Sequence, residues 1–371
     1  MNTYAETFPP GEFLREELEA RGWSQTELAE IIGRPVRLIN ELIAGKKAIT
    51  PETAIQLGDS LGTGPELWMN LESQYQLSKV RSPDGVIARR AKLYERFPVR
   101  EMIKRGWIET SKSVEVLEQQ FLSFFGIKRL NDEIPFCHAA KRSDPQDLPS
   151  MLQLAWLCRA RHIASEQVMA PYAEKKLRHS LTGLSALLSA PEEIRHVPRL
   201  LAECGVRFVV VEPIPRAKID GACFWLDKSK PVVAMSLRLD RIDNFWFVLR
   251  HELEHVLQRH GQEDGYILDQ DIEGTEGDQF NEEEAVANKA AANFCVAQEE
   301  INGFVARVSP FFKEERVLGF AQRLNVHPGI IVGQLQRRLG RYDLFRKHQV
   351  KVRHVITSSA LTDGWGVVHT A

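Results

Sequence analysis

No stretch of this 371-residue chain approaches the run of about 20 apolar residues that a membrane-crossing helix needs. The best apolar stretch, around Val206–Val211, is far shorter. Cysteine is scarce as well. Cys137, Cys158, Cys204, Cys223 and Cys295 are odd in number, scattered, and nowhere spaced Cys-x-x-Cys. That excludes a disulfide scaffold and a cysteine-based zinc site, and predicts a reducing, cytoplasmic setting. The N-terminus, MNTYAETFPPGEF, lacks both the basic region and the apolar core of a secretory leader. Internal repeats and low-complexity tracts are missing too. Finally, there is little excess charge of either sign, with a net charge of −2. A sum of that kind hides its distribution, so nucleic acid is not excluded by it.

What is present is organised in three parts. Residues 8–78 carry five short helical patterns with tight turns. Gly11–Ala20 repeats apolar residues at helical spacing, and Ser24-Gln25-Thr26-Glu27 is a capping box ahead of the helix Ser24–Ile32. Gly33 stops it, Pro35 starts the next (Pro35–Ala44), Thr50-Pro51 opens a fourth, and Pro65 a fifth. Residues 79–190 read as a helical connector, locally basic between 81 and 109, with an amphipathic helix at Ser150–Ala164. From 191 to 348 the pattern turns α+β. Val206–Val211, Gly221–Leu226 and Pro231–Met235 are short β-rich runs, followed by helical patterns at Asp243–His260 and from Asn281 to Ala297. Residues 349–371 read as a tail.

The pair Ser24–Ile32 and Pro35–Ala44 has helix-turn-helix spacing. In such a motif the second helix enters the major groove. Its outward positions here are Arg34, Val36, Arg37, Asn40 and Glu41, whereas Ile39, Leu42 and Ile43 face inward. Arg37 and Asn40 suit guanine and adenine edges, Gln25 a phosphate at a helix start, and Lys46 and Lys47 the DNA backbone. Residues 1–80 nevertheless hold seven Lys/Arg against twelve Asp/Glu. Binding by so acidic a module is expected to be salt-sensitive and to need dimerisation. A module serving only dimerisation or partner docking is the other reading.

Ser24-Gln25-Thr26-Glu27-Leu28-Ala29, Ile39-Asn40-Glu41-Leu42-Ile43-Ala44-Gly45-Lys46 and Leu67-Trp68-Met69-Asn70-Leu71 resemble the Cro/repressor-type (XRE) helix-turn-helix family, in its HigA-like antitoxin branch. The resemblance implies sequence-specific binding of a double-stranded DNA operator, as a homodimer at a palindrome.

A second chemical signal is His251-Glu252-Leu253-Glu254-His255, embedded in an apolar helical pattern. Residues four apart share a helix face, so His251 and His255 can hold one Zn²⁺ through their imidazoles. Glu252, one position offset, is placed to take a proton from water and return it to a leaving amine. A catalytic zinc wants a third protein ligand, and Glu282, Glu283 and Glu284 open the downstream helix. Glu284 is favoured because Asn288, one turn on, can hydrogen-bond a ligating histidine. Ala287, Ala291 and Ala292 allow that helix to cross closely. Between these elements Glu263, Asp264, Asp269, Asp271, Glu273, Glu276 and Asp278 read as a solvated acidic loop rimming the cleft.

Residues from about 191 to 340 resemble the ImmA/IrrE family of zinc metallopeptidases. The resemblance rests on Gly205–Val211, Asp220-Gly221-Ala222, the His251–His255 motif, Glu284-x-x-Ala287-Asn288-x-x-Ala291-Ala292, and Phe320–Leu324 followed by Pro328–Gly333. It implies a zincin-like fold, zinc held by two histidines and a helical glutamate, Glu252 as general base, and a protein substrate of the repressor type. Together the resemblances imply a toxin–antitoxin or stress-response regulator whose partner is a repressor or a toxin. An antitoxin or repressor whose zinc domain only senses or docks is the alternative. Two residues depart from the family pattern. Glu254 replaces the usual Gly or Ala, where a carboxylate is placed to crowd the ligand helix or compete for metal, and Phe294-Cys295-Val296-Ala297 replaces a hydrophobic-Pro sequence.

Overall fold

The computed structural model describes residues 8–80, 85–134, 149–262, 266–270 and 282–369. The acidic residues Glu263, Asp264, Asp271, Glu273, Glu276 and Asp278, the side chain of Asp269, and Cys137 lie outside the described residues. The chain divides into two compact units, 1–87 and 88–371.

Unit 1 contains α1 (Pro10–Arg21), α2 (Gln25–Ile31), α3 (Val36–Ile43), α4 (Pro51–Leu61) and α5 (Pro65–Lys79). The local signals act where the sequence places them. Ser24 Oγ accepts from the Glu27 amide while Glu27 Oε2 accepts from the Ser24 amide, at 3.2 and 2.6 Å. Gly33 turns at φ +66°, a left-handed value that glycine adopts at little cost. The core is built from Leu14, Leu18, Leu28, Ala29, Ile39, Leu42, Ile43, Ala54, Leu57, Leu61 and Trp68. Glu72 is buried among these helices because its carboxylate accepts from the Ile49 amide (3.0 Å) and from Gln76 (2.6 Å).

Unit 2 begins in α6 (Val86–Arg96) and continues through α7 (Val99–Lys104), α8 (Val114–Phe125), α9 (Met151–Ser165), α10 (Glu174–Ala186) and α11 (Val197–Glu203). Then come β1 (Arg207–Val211), β2 (Ile219–Trp225), β3 (Pro231–Met235), α12 (Ile242–Gln258), β4 (Tyr266–Gln270), α13 (Glu282–Cys295), α14 (Gln298–Val308), α15 (Glu314–Leu324), α16 (Pro328–Leu339), α17 (Arg353–Ile356) and β5 (Leu361–Asp363). The five strands form one mixed sheet in the order β4-β2-β3-β1-β5. β1 runs parallel to β3 and β5, with Val209 opposite Ala234 and Leu361, while β2 is antiparallel to β3 and β4. Every residue of β1, β2 and β3 is buried, so both faces of the sheet are covered. Phe208, Val210, Cys223, Val233 and Met235 share a core with α12, α13 and α16.

Two boundaries differ from the sequence reading. The helices expected at 79–190 to be a connector are, from residue 88, part of unit 2, bonded to its strands and turns. Trp156 Nε1 donates to the Val211 carbonyl (3.1 Å), Gln153 to the Ala217 carbonyl (3.0 Å), and Trp107 Nε1 to Asp363 Oδ1 (2.8 Å). Residues 349–371, expected to be a tail, contribute the edge strand β5 beside β1, and Asp363 is fixed there by Arg159 Nε at 2.9 Å. Neither pairing has a local signature, because the bonded partners stand between 55 and 256 residues apart.

Candidate functional site

Helix α12 carries the His-Glu-x-x-His sequence and is buried from Ile242 to Leu257. Its crossing partner α13 presents Ala287 and Ala291 as buried small residues, which lets the two helix backbones come close. His251, His255 and Glu284 converge from these two helices with their donor atoms within 4.8 Å of one another. Both imidazoles are fully buried. His251 Nε2 and His255 Nε2 stand 3.0 Å apart, and Glu284 places Oε2 at 3.2 Å from the former and Oε1 at 3.5 Å from the latter. A tetrahedral ion with bonds of about 2.0–2.1 Å requires donors about 3.3–3.4 Å apart. The two-imidazole, one-carboxylate set therefore fits zinc in both chemistry and spacing.

Glu252 is completely buried in the same helix. Its carboxylate lies against Gly221 of β2. A methyl group at Gly221 would overlap Glu252 Oε1 and stand 2.9 Å from Glu252 Cδ and from Val248 Cγ1. The glycine thus makes the space that the carboxylate occupies. Of the three candidate glutamates, Glu284 joins the histidines, Glu283 Oε1 is 3.7 Å from His260 Nε2, and Glu282 is exposed.

The expected contact from Asn288 takes another form. Asn288 Oδ1 is buried without a hydrogen-bond partner, and the outer nitrogen of His255 is met by His260 instead, Nδ1 to Nδ1 at 2.9 Å. His260 is a site residue that helical spacing could not reveal, since it lies beyond the helix end. Arg259 turns in the left-handed region (φ +60°), folding the chain back so that the His260 amide donates to the His255 carbonyl at 2.9 Å. Trp225 Nε1 pins the His260 carbonyl at 3.0 Å. Nor does Glu254 join the donor group. It pairs with Arg250 (2.7 Å) and accepts from Gln258 (2.7 Å). Burial raises its pKa, but these hydrogen bonds and the guanidinium charge outweigh that and hold it below the ordinary carboxylate value.

In unit 1, the geometry that matters is the surface around α3. Gln25, Arg34, Arg37, Asn40, Lys46 and Lys47 are exposed, while Val36 is half-buried and packs on the core. Arg37 Nε contacts Glu41 Oε1 at 2.8 Å, and Arg34 Nε donates to Gln56 Oε1 at 3.0 Å. The Arg37 side chain remains 87% exposed, so its pairing is of the weak surface kind and yields readily to a stronger acceptor. The turn joining α2 to α3 is closed by the Arg34 amide donating to the Ala29 carbonyl at 2.9 Å.

The helix-turn-helix family model matches residues 14–68. Over 70 residues the chain is 33% identical to an uncharacterized HTH-type transcriptional regulator, YddM, of Escherichia coli K12, covering 74% of that protein and 19% of this chain. The chain belongs to the helix-turn-helix family. Virulence-associated protein I of Dichelobacter nodosus is 36% identical over 69 residues, 64% of its length and 18% of this chain. Among solved structures, the Pseudomonas aeruginosa antitoxin HigA with the higBA promoter is 32% identical, covering 20% of this chain and 82% of that one at a TM-score of 0.20. PA4674 of the same organism, in complex with its operator DNA, is 30% identical over 22% of this chain and 89% of its own, with a TM-score of 0.21. The helix-turn-helix unit accounts for the N-terminal part of the chain. No helix of the described residues is long and apolar enough to cross a membrane.

Proposed function

We propose that this chain is a DNA-binding transcriptional regulator of the antitoxin type, whose C-terminal unit is a zinc-dependent endopeptidase acting on a protein partner. For DNA, the supporting observation is the exposed pair Arg37 and Asn40, one turn apart on the second helix of a helix-turn-helix, with Lys46 and Lys47 just beyond it. Arg37 reads guanine, Asn40 reads adenine, and the lysines with Gln25 and Arg34 hold phosphates. Because unit 1 is acidic overall, its affinity depends on two copies acting together at a palindromic operator. Operator binding measured across salt tests this. Arg37→Ala and Asn40→Ala each relax sequence preference by about 1–3 kcal/mol at one base position. Unchanged preference in both variants makes the unit a dimerisation module instead.

For the peptidase, the observation that carries the reading is the donor triangle of His251, His255 and Glu284, with Glu252 buried on the same helix. Zinc, when bound, supplies Lewis acidity that acidifies water and polarises a peptide carbonyl. Glu252 takes a proton from the attacking water and passes it to the leaving nitrogen. His260 and Glu283 keep the ring of His255 oriented through its Nδ1. The substrate is a DNA-binding repressor or a toxin. A specific observation favours a second reading in which the zinc domain only senses or docks, because the Glu252 carboxylate is fully buried against Gly221. Glu252→Gln separates the two. Under the peptidase reading the variant keeps stoichiometric zinc and loses cleavage of a repressor by about 10²–10⁴-fold. Identical behaviour of wild type and variant establishes the docking reading, and absence of zinc in the wild type overturns both.

A further inference from the structure

A cleft of about 650 Å³ opens in unit 2 between α17 with its flanking residues and the segment that follows β5. Its size falls in the range of small-molecule sites, roughly 300–1,000 Å³. None of its lining residues belongs to the histidine–glutamate cluster. Lys351, Arg353 and His354, close together in sequence, line it with two cationic side chains and an imidazole, and Trp365 lines it beside Arg353. Lys351 and His354 are exposed, and Arg353 is half-buried.

Asp240 also lines the cleft, but its Oδ1 already accepts from the amides of Val352 (2.9 Å) and Arg353 (2.8 Å). That carboxylate is engaged by the backbone, and its single negative charge is outnumbered by those of Lys351 and Arg353, so the lining is net positive. Arg353 is held by Nη2 donating to the Leu237 carbonyl at 3.1 Å and by its guanidinium over the Trp365 ring at 4.8 Å. Its Nε is buried without a hydrogen-bond partner, a donor in want of an acceptor.

Several contacts hold the aromatic side of the cleft in place. Trp365 sits in the left-handed region at φ +49°, and its amide donates to Glu212 Oε2 at 2.7 Å. Gly364 leaves no room for a Cβ, which would overlap the Cβ of Glu212. Gly364 and Val367 then close the turn with reciprocal backbone bonds of 2.7 and 2.9 Å. A bulky residue held at positive φ by surrounding contacts marks a position whose geometry is imposed.

We infer that this cleft binds a small anion bearing an aromatic ring, of the nucleoside phosphate class, with the phosphate held by Lys351, Arg353 and His354 and the ring by Trp365. Cationic side chains give the phosphate charge-assisted hydrogen bonds, and an indole gives a base a stacking surface. Neither DNA contact nor peptide hydrolysis uses these residues, so the site stands independently of the proposed function.

Calorimetric titration of the full-length protein with the four ribonucleoside 5′-monophosphates tests the inference, with inorganic phosphate and free nucleosides as probes lacking one half of the ligand. At least one nucleotide binds saturably with Kd below about 1 mM, and each half-probe binds at least about tenfold more weakly. The double variant Lys351→Ala, His354→Ala changes only exposed side chains and weakens nucleotide binding by about tenfold, with reduced salt dependence. Trp365→Leu weakens it by about tenfold or more while affecting inorganic phosphate little. Absence of saturable nucleotide binding overturns the site. So does binding that both variants leave intact, and phosphate that binds as tightly as the nucleotides overturns the aromatic half.

Discussion

Gly11→Ala is a substitution for which two physical effects in the same helix predict opposite signs. Gly11 is the second residue of α1, and replacing glycine by alanine in a helix ordinarily stabilises it by up to about 1 kcal/mol. Here, however, α1 crosses α3 so closely that an added Cβ would overlap the Leu42 carbonyl oxygen and stand 2.6 Å from Ile43 O and 2.7 Å from Ile43 Cα. All three obstacles are backbone atoms, which no rotamer change can move aside. Ordinary carbon–oxygen contact begins near 3.3 Å, so α1 must withdraw from α3 by roughly 1 Å. That loosens Leu14 and Leu18 against Ile39 and Leu42, all of them buried in one cluster. Overpacking of this kind costs about 1–3 kcal/mol, and with rigid obstacles the upper part of that range applies. Net of the propensity gain, unit 1 loses about 2 kcal/mol. Hydrogen exchange read on peptides spanning α3 measures this locally, without assuming that the two units unfold together. The amides of Ile39, Leu42 and Ile43 should exchange about 30-fold faster in the variant. Exchange that is unchanged or slower shows helix propensity to dominate and refutes the close-crossing account.

Three further outcomes follow from unit 2. The nearest atoms to a methyl at Gly221 belong to Glu252 and Val248 rather than to the three donor residues, so Gly221→Ala should keep its zinc while repressor cleavage falls by about 10²-fold or more; metal analysis and a cleavage assay on one preparation check it. His260→Ala removes the partner of His255 Nδ1 and should weaken zinc binding by about 10–100-fold in a chelator competition, and unchanged affinity would exclude an orienting role. The thiol of Cys295 is fully buried, and burial pushes its pKa up to about 12. A raised thiol pKa keeps the unreactive protonated form dominant up to that pH, so iodoacetamide at pH 8 should leave Cys295 unmodified in the folded protein and label it after unfolding. Rapid native labelling counts against that burial.

Much of unit 1 was legible because its determinants are local. A capping box, a glycine at positive φ and a proline at a helix start act within four residues, and Ser24, Gly33, Pro35 and Pro65 each stand at a helix boundary. The same holds for His251 and His255, whose i, i+4 spacing puts them on one face of any helix they occupy. The three β-rich runs likewise became β1, β2 and β3. What the sequence could not place was decided by contacts between distant segments. Edge strands β4 and β5 gain their register from β2 and β1, partners distant in sequence, so no local window places them. Glu284 was favoured from the sequence through a contact from Asn288, whereas in the structure it is the packing of α13 on α12 that brings Glu284 to the histidines, and Asn288 Oδ1 has no hydrogen-bond partner. Glu254, a residue set to crowd the ligands when read along the helix, is drawn aside by Arg250 and Gln258 one turn away on either side. His260 reached His255 through a left-handed turn at Arg259, and Asp363 gathered Trp107 and Arg159 from more than two hundred residues upstream. The sequence by itself determined which side chains share a helix face. Only the tertiary structure decided which faces meet, because that choice belongs to the packing of whole elements and to no window of residues within them.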